Sequence, residues 1–366
     1  VTRIQVSCSP GERRIAVLGQ DGLEDYAIWR PGAPDGLGDI HVGRVISYVP
    51  AMAGAFVELQ DAIGFLPDSQ GAAQASLGDA VTVRVTRSAH CGKGPRLAVE
   101  AATTGTAPGL VRRGPSPLHR LAAVHAEAEI LVDDSAVFAA LRADFEARLR
   151  LVHRAFDDTL ESAIEALAEA WTDLPGGVRA GFFPSPALTA IDMDGAATTA
   201  LRGAKAAIQF AANREALPGL ARQIRLRNIS GAILVDFAGL PSKRRQALGP
   251  LMEAAFAGDP LRPRLLGFTR LGLAEILRPR AGPPLHEVLA GPHAAGLAGL
   301  REAAAALRAT PMRRLVLHAA QGVVAALDRD RDALDDLARL ATYGVTLRSD
   351  PSLRPCAWRV EDTARA

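Results

Sequence analysis

Five short runs with two-residue alternation crowd into residues 40–102: IHVGRVISYV (40–49), GAFVEL (54–59), AIGFLP (62–67), DAVTVRVT (79–86) and RLAVEAA (96–102). Turns rich in Gly, Pro and Asp cut each run short and leave no room for a helix. Strands this brief and this dense must share one core, which predicts a small closed barrel such as an OB-fold. Upstream, RIQVS (3–7), RRIAVL (13–18) and LEDYAIW (23–29) alternate in the same way around Pro10-Gly11 and a hairpin turn at Asp21-Gly22. They predict a three-stranded meander. The stretch 30–36 has loop composition and marks a domain junction.

After residue 103 the texture changes. AEILVD (128–133) reads as a strand, while 135–150 and 158–171 have helical spacing. From Pro186 strands and helices alternate: ALTAIDMD (187–194), a helical region 203–227, GAILVDFAG (231–239), a helix beginning near Ser242, and RLLGFTR (264–270). This alternation predicts an α/β layer with its site at the carboxyl ends of adjacent strands. Pro218-Gly219 is expected to break the region 203–227 and restart it with Pro218 in a first turn. Residues 286–312 read as mostly helical, and 313–360 as strand, two helices and two strands, a small α+β cap. The fold class expected is α+β and multidomain.

Charge narrows the partners. The net charge is only +2, but it is unevenly spread. Residues 201–285 hold 14 Lys/Arg against 5 Asp/Glu, whereas residues 1–200 hold 17 against 25. A basic block in a nearly neutral chain suits a polyanion, because phosphates neutralised by Lys or Arg release counterions. It equally suits a solvated helix face. Cys8, Cys91 and Cys356 are too far apart for a CxxC knuckle or a dense disulfide framework. No stretch approaches the roughly 20 apolar residues of a membrane span. The expectation is a cytoplasmic protein with no membrane partner.

Asp192 follows Leu188-Thr189-Ala190-Ile191, and Asp236 follows Ile233-Leu234-Val235. If both runs are buried strands, both carboxylates emerge at one sheet edge. A carboxylate there needs a cation or several donors, and magnesium accepts one or two carboxylates while keeping waters and substrate phosphate as its other ligands. Capping of the following helix is the other reading of such an Asp. Asp194, two residues on, is aimed to the same side as Asp192 and offers a third ligand or a group that orients water.

With these residues in view, the chain resembles the ribonuclease E/G family. AIDMD (190–194) is similar to the family's AIDIN, RQIRLRNISGAILVDF (222–237) to RQLRLRDLGGLIVIDF, and TRLGLAEILRPR (269–280) to SRFGLLEMSRQR. LPGG (174–177) resembles the family's turn before the catalytic strand. IHVGRV, AGAFVEL, AIGFLP and Gly92-Lys93-Gly94 resemble its S1-type barrel. The resemblance implies an RNase H-like domain (1–36 and 97–170), an inserted S1-type OB-fold β-barrel (37–96), a DNase I-like catalytic domain (171–285), and a helical linker with a small C-terminal α+β domain (286–366). It implies that Asp192 and Asp236 hold Mg2+, with Mn2+ able to substitute. In the same reading Asp194 replaces an asparagine that orients one of them, and Arg270 approaches the scissile phosphate. Phe56, Phe65 and Lys93 then contact single-stranded RNA, as do Arg225 and Arg227 of the basic block. Core packing of a small barrel is the alternative for the two phenylalanines. The function implied is a magnesium-dependent endoribonuclease; a non-catalytic RNA-binding or assembly protein is the alternative.

Three departures qualify the resemblance. Between Pro108 and Glu127 only a short linker stands where longer members carry a 5′-monophosphate sensor, so cleavage is not expected to depend on the 5′ end. Residues 281–293, AGPPLHEVLAGPH, contain no cysteine. His286 and His293 are too few to replace the family's zinc motif, so no zinc is expected and any homodimer is not zinc-linked. VTLRSDPSLRP (345–355) resembles the small C-terminal domain through which such a dimer would form. Asp194 adds a third carboxylate, which either tightens a metal site or raises its neighbours' pKa.

Overall fold

The computed structural model describes residues 2–90, 92–100, 108–195 and 202–363, so Cys91 lies outside the described residues. The chain is mixed α+β and divides into two compact units. One comprises residues 1–34, 116–168 and 285–366, and the other residues 35–115 and 169–284.

In the first unit the meander forms as read. Arg3–Ser9, Glu12–Gly19 and Gly22–Trp29 pair antiparallel. Glu129–Val132 and Leu149–Leu151 extend the sheet in parallel from the first strand. Ile4, Val6, Ile15, Val17, Ile130 and Val132 fill its core. Two helices are shorter than their spacing predicts. Ser135–Phe145 ends before a single 3-10 turn, and Leu149 then enters the sheet. Asp158–Glu165 likewise gives way, and Trp171 begins a strand of the other unit. Backbone pairing with a neighbouring strand outweighs helix propensity at both ends. The tail forms a three-stranded sheet, with Leu315–Ala319 between Val345–Ser349 and Trp358–Asp362. Helix Gly291–Ala309 packs its Leu297, Leu300 and Leu307 into the same core. His293 Nε2 lies 2.7 Å from Asp330 Oδ2.

In the second unit five strands close a barrel. Ile40–Val49 pairs with both Gly54–Glu58 and Ala80–Arg87, and Arg96–Val99 joins Ala80–Arg87 to Ile63–Pro67. Val45, Val57, Leu66, Val83, Val85 and Leu97 fill it. Gly109–Arg112, part of the stretch read as linker, adds a further strand beside Ile40–Val49. Asp39 then ties down the exit, accepting from Arg113 Nη1 and the Gly114 amide, both at 2.7 Å.

The rest of this unit is a six-stranded sheet in the order Trp171–Leu174, Val178–Pro184, Leu188–Gly195, Gly231–Asp236, Ala274–Arg278, Arg264–Phe268. The regular alternation expected from Pro186 onward is realised only once. Leu188–Gly195 and Gly231–Asp236 are parallel, joined through helix Arg202–Leu226, and every other pairing in the sheet is antiparallel. Strands Val178–Pro184 and Ala274–Arg278 were not read as strands from the sequence, because Gly, Pro or charge interrupts their alternation.

Helix Arg202–Leu226 runs through Pro218 without the predicted break. Ala216, Leu217, Leu220, Ala221 and Ile224 on either side of it are buried in one core with Ile191, Ile233 and Val235. Burial of that continuous apolar face offsets the missing amide hydrogen bond, which costs on the order of 3 kcal/mol in a helix interior. Pro218→Ala is accordingly expected to stabilise the protein by roughly 1–3 kcal/mol. Equilibrium denaturation checks this, and an unchanged or lowered midpoint would refute it.

Candidate active site

The parallel pair decides the geometry. Ile191, Met193 and Val235 point into the core, so their neighbours Asp192, Asp194 and Asp236 emerge on the opposite face. The register sets Asp192 directly beside Asp236. Adjacent strands lie about 4.8 Å apart, so two negative charges share one strand end. On the other side Asp194 is in register with Arg179, and Asp192 with Gly181. A side chain at Gly181 would strike the Phe183 and Trp171 rings at 2.8–2.9 Å. Those rings form an edge-on pair, centroids 5.6 Å apart, on the sheet's open face.

The carboxylates line a cleft of about 400 Å³ together with Lys205, Gln209, Asn213 and Arg245. Arg245, from helix Ser242–Gln246, donates from Nη1 to Asp236 Oδ1 at 2.5 Å and to the Gly272 carbonyl at 3.2 Å. Its Nε donates to the Leu240 carbonyl at 2.7 Å. Its side chain is 16% exposed against 48% for Asp236, so the arginine is a fixed buttress and the carboxylate remains open to the cleft. Asn213 is fully buried. Its Nδ2 donates to the Gln209 carbonyl at 2.7 Å and to Ala238 at 3.0 Å. That bond ties the crossover helix to the loop leaving Asp236, while Asn213 Oδ1 has no hydrogen-bond partner among the described residues.

Three carboxylates against Lys205 and Arg245 leave the cleft with an excess of negative charge, which favours a small cation. Among the described residues no group of three or more His, Cys, Asp or Glu side chains is arranged to hold a metal. Asp192 and Asp236 form a two-carboxylate site, a donor set that fits a cation keeping most of its waters.

The other residues singled out from sequence lie elsewhere. Arg270 is exposed in the turn between strands Arg264–Phe268 and Ala274–Arg278, outside the cleft lining. Arg225 is half-buried on the crossover helix. Arg227 is turned inward, at 7% exposure. It donates to the Glu169 carbonyl at 2.6 Å and to Gln223 at 3.1 Å, and lies 4.4 Å over the Phe182 ring. Burial lowers its pKa to about 10. Such a guanidinium holds the sheet to the helix and is not presented to a ligand.

Phe56 and Phe65 face each other across the barrel ladder, edge-on with centroids 5.5 Å apart. Their neighbours Ala55, Val57 and Leu66 fill the core and the two rings do not, so the core-packing alternative fails. Lys93 is exposed at the tip of the loop that closes on His90. Sequence reasoning missed Arg245 and Asn213. The only trace of the first is a basic run, Lys243-Arg244-Arg245, which does not reveal which cation folds back. The trace of the second is one amide on an apolar helix face.

Comparison with known proteins finds relatives over the part of the chain that includes this cleft. The model of the ribonuclease E/G family matches residues 100–281. Ribonuclease E of Nostoc sp. is 35% identical over 130 residues, covering 35% of this chain and 19% of that protein. Ribonuclease E of Escherichia coli (strain K12) is 33% identical over 173 residues, 43% of this chain and 16% of that protein. Ribonuclease G of the same strain is 33% identical over 132 residues, 36% and 27% respectively. The matched segments thus span less than a third of each relative's length. Residues 100–281, which carry Asp192, Asp236 and the strands that present them, are the part of this chain that matches the ribonuclease E/G family.

Proposed function

We propose that this chain is a metal-dependent endoribonuclease that cleaves single-stranded RNA, with Asp192 and Asp236 holding Mg2+. The observation that carries the reading is the in-register pair of carboxylates at the ends of two parallel strands, open to a cleft of about 400 Å³. The names of the relatives, ribonuclease E and ribonuclease G, support the reaction class. A magnesium ion between the carboxylates would supply a more acidic water and offset charge on the phosphodiester.

The chain's own residues do the positioning. Arg245 fixes Asp236 through one oxygen and leaves the other for the cation. Asn213 fixes the loop behind it. Lys205, on the cleft wall, brings positive charge toward a phosphate, and Arg270 reaches the same backbone from its turn. We read the barrel as an S1-type RNA-binding module, the six-stranded layer as DNase I-like, and the meander as RNase H-like. A homodimer not linked by zinc is compatible with the tail.

The deciding experiment is incubation of a fluorescent single-stranded RNA with the protein, with and without magnesium. Cleavage that requires the ion supports the reading, and its absence with binding retained favours the non-catalytic RNA-binding alternative. Engagement of Asp236 by Arg245 is the observation that favours that alternative. The barrel is tested by Phe56→Ala. Loss of one stacked base should weaken RNA binding by about 1–3 kcal/mol and leave the thermal midpoint near the parent's, because the ring is outside the barrel core. Unchanged affinity in a titration would remove Phe56 from the interface.

A further inference from the structure

A second concave site lies in the same unit and shares no residue with the carboxylate cleft. It has a volume of about 460 Å³ and is lined by Thr86, Arg87 and Arg96 from the barrel and by Arg264, Arg278 and Arg280 from the sheet. Arg278 is neutralised, since both its Nε and Nη2 donate to Asp259. Among the described residues, none of the other four arginines is ion-paired to a carboxylate.

Their arrangement is electrostatically unfavourable. Arg87 and Arg96 stand directly opposite each other on adjacent strands, where like charges destabilise a ladder. Burial and then the charges of Arg96 and Arg280 lower the Arg87 pKa. Arg280 is held in place by donating to His90 Nε2 at 2.6 Å. It packs so close to Gly231 that a Cβ there would lie 2.8 Å from its guanidinium, and Gly231 has a φ of +85° besides. The backbone is thus shaped to admit the cation. A pocket that gathers four uncompensated guanidinium groups is stabilised by an anion with several acceptor oxygens, and the planar donor fork of arginine matches phosphate.

The pocket's surroundings say which phosphate. Arg96 pairs with Phe65 across the barrel, so the pocket adjoins the outward aromatic pair. Gly231 begins the strand that ends at Asp236, about 17 Å away at the usual rise per residue. That separation is a few nucleotides of extended strand. We propose that Arg87, Arg96, Arg264 and Arg280 form a phosphate-binding site that holds the backbone of single-stranded RNA a few nucleotides from the bond presented to Asp192 and Asp236. The identity of the strand rests on the nuclease reading; the anion chemistry does not.

The test uses the full chain carrying Arg96→Gln/Arg264→Gln, with Arg348→Gln/Arg354→Gln in the tail as a control of equal charge. Fluorescence anisotropy with a single-stranded RNA, without divalent metal so that nothing is cut, is followed over a range of salt. Each lost phosphate contact should lower the slope of log K against log salt by about 0.7, so the pocket variant should lose roughly 1.4 and bind about tenfold more weakly at low salt. The control should match the parent. Equal slopes for parent and pocket variant would overturn the proposal. A second arm measures the thermal midpoint with inorganic phosphate. If phosphate raises the midpoint of the parent alone while RNA binding is unaffected, the ligand is the free ion and the strand assignment fails. Because neither arm reads cleavage, a parent that cuts no RNA but shows the slope difference would sink the nuclease reading and leave the pocket standing.

Discussion

Asp192→Asn should abolish metal-dependent cleavage of single-stranded RNA, lowering the rate by roughly 100- to 1000-fold, while RNA affinity stays within about twofold. The magnitude corresponds to about 3–4 kcal/mol of transition-state stabilisation, the scale expected when a hydrolytic metal site loses one of two anionic ligands. Asn keeps the shape of the side chain and its place beside Asp236, so the fold should survive. Asp192 is the cleaner position of the two. Asp236→Asn should be equally inactive, but it also removes the charge that Arg245 is bonded to, which mixes loss of a ligand with loss of a buttress. Single-turnover cleavage at several magnesium concentrations reads the effect, with anisotropy reading binding separately. Parent-like rates for Asp192→Asn would move the chemistry out of this cleft.

Arg278→Ala should destabilise the protein by about 3–5 kcal/mol, the usual cost of stranding one partner of a buried ion pair. Arg278 and Asp259 are each 3% exposed and meet through two contacts, at 2.7 and 3.3 Å. The same guanidinium donates from Nη1 to Asn228 Oδ1 at 3.0 Å and to the Ile229 carbonyl at 3.1 Å. It therefore clamps the turn before the Asp236 strand to the neighbouring strand, at the pairing of Gly231 with Arg278. Chemical denaturation measures the loss. A double variant, Arg278→Leu/Asp259→Asn, should recover part of it, because no charge is then left buried alone. Little loss in the single variant would show that water reaches Asp259 readily.

How far the sequence could be read varied with the range of the interactions involved. The meander and the five barrel strands were legible because two-residue alternation and Gly or Asp turns are local. Asp192 and Asp236 were legible for the same reason, each closing an apolar run that must be buried. Pro218 misled because its local cost is real, and only the packing of Leu217, Leu220 and Ile224 against the sheet shows that it is absorbed. Trp171 misled in the opposite sense, since helical spacing continued past the point where strand pairing took over.

The basic block shows the limit most clearly. Its arginines looked alike, yet in the folded chain Arg227 is buried over Phe182, Arg245 braces Asp236 and Arg278 is neutralised by Asp259. Arg264 and Arg280 instead join two barrel arginines in a pocket. The sequence alone determined the meander, the barrel strands and the two strands that Asp192 and Asp236 end, because burial of an alternating run is dictated by neighbours one or two residues away. The tertiary structure decided which charges meet, since register and crossover bring together groups as far apart in the chain as Arg96 and Arg264, and the partner of a guanidinium, more than its position in a run, sets its role.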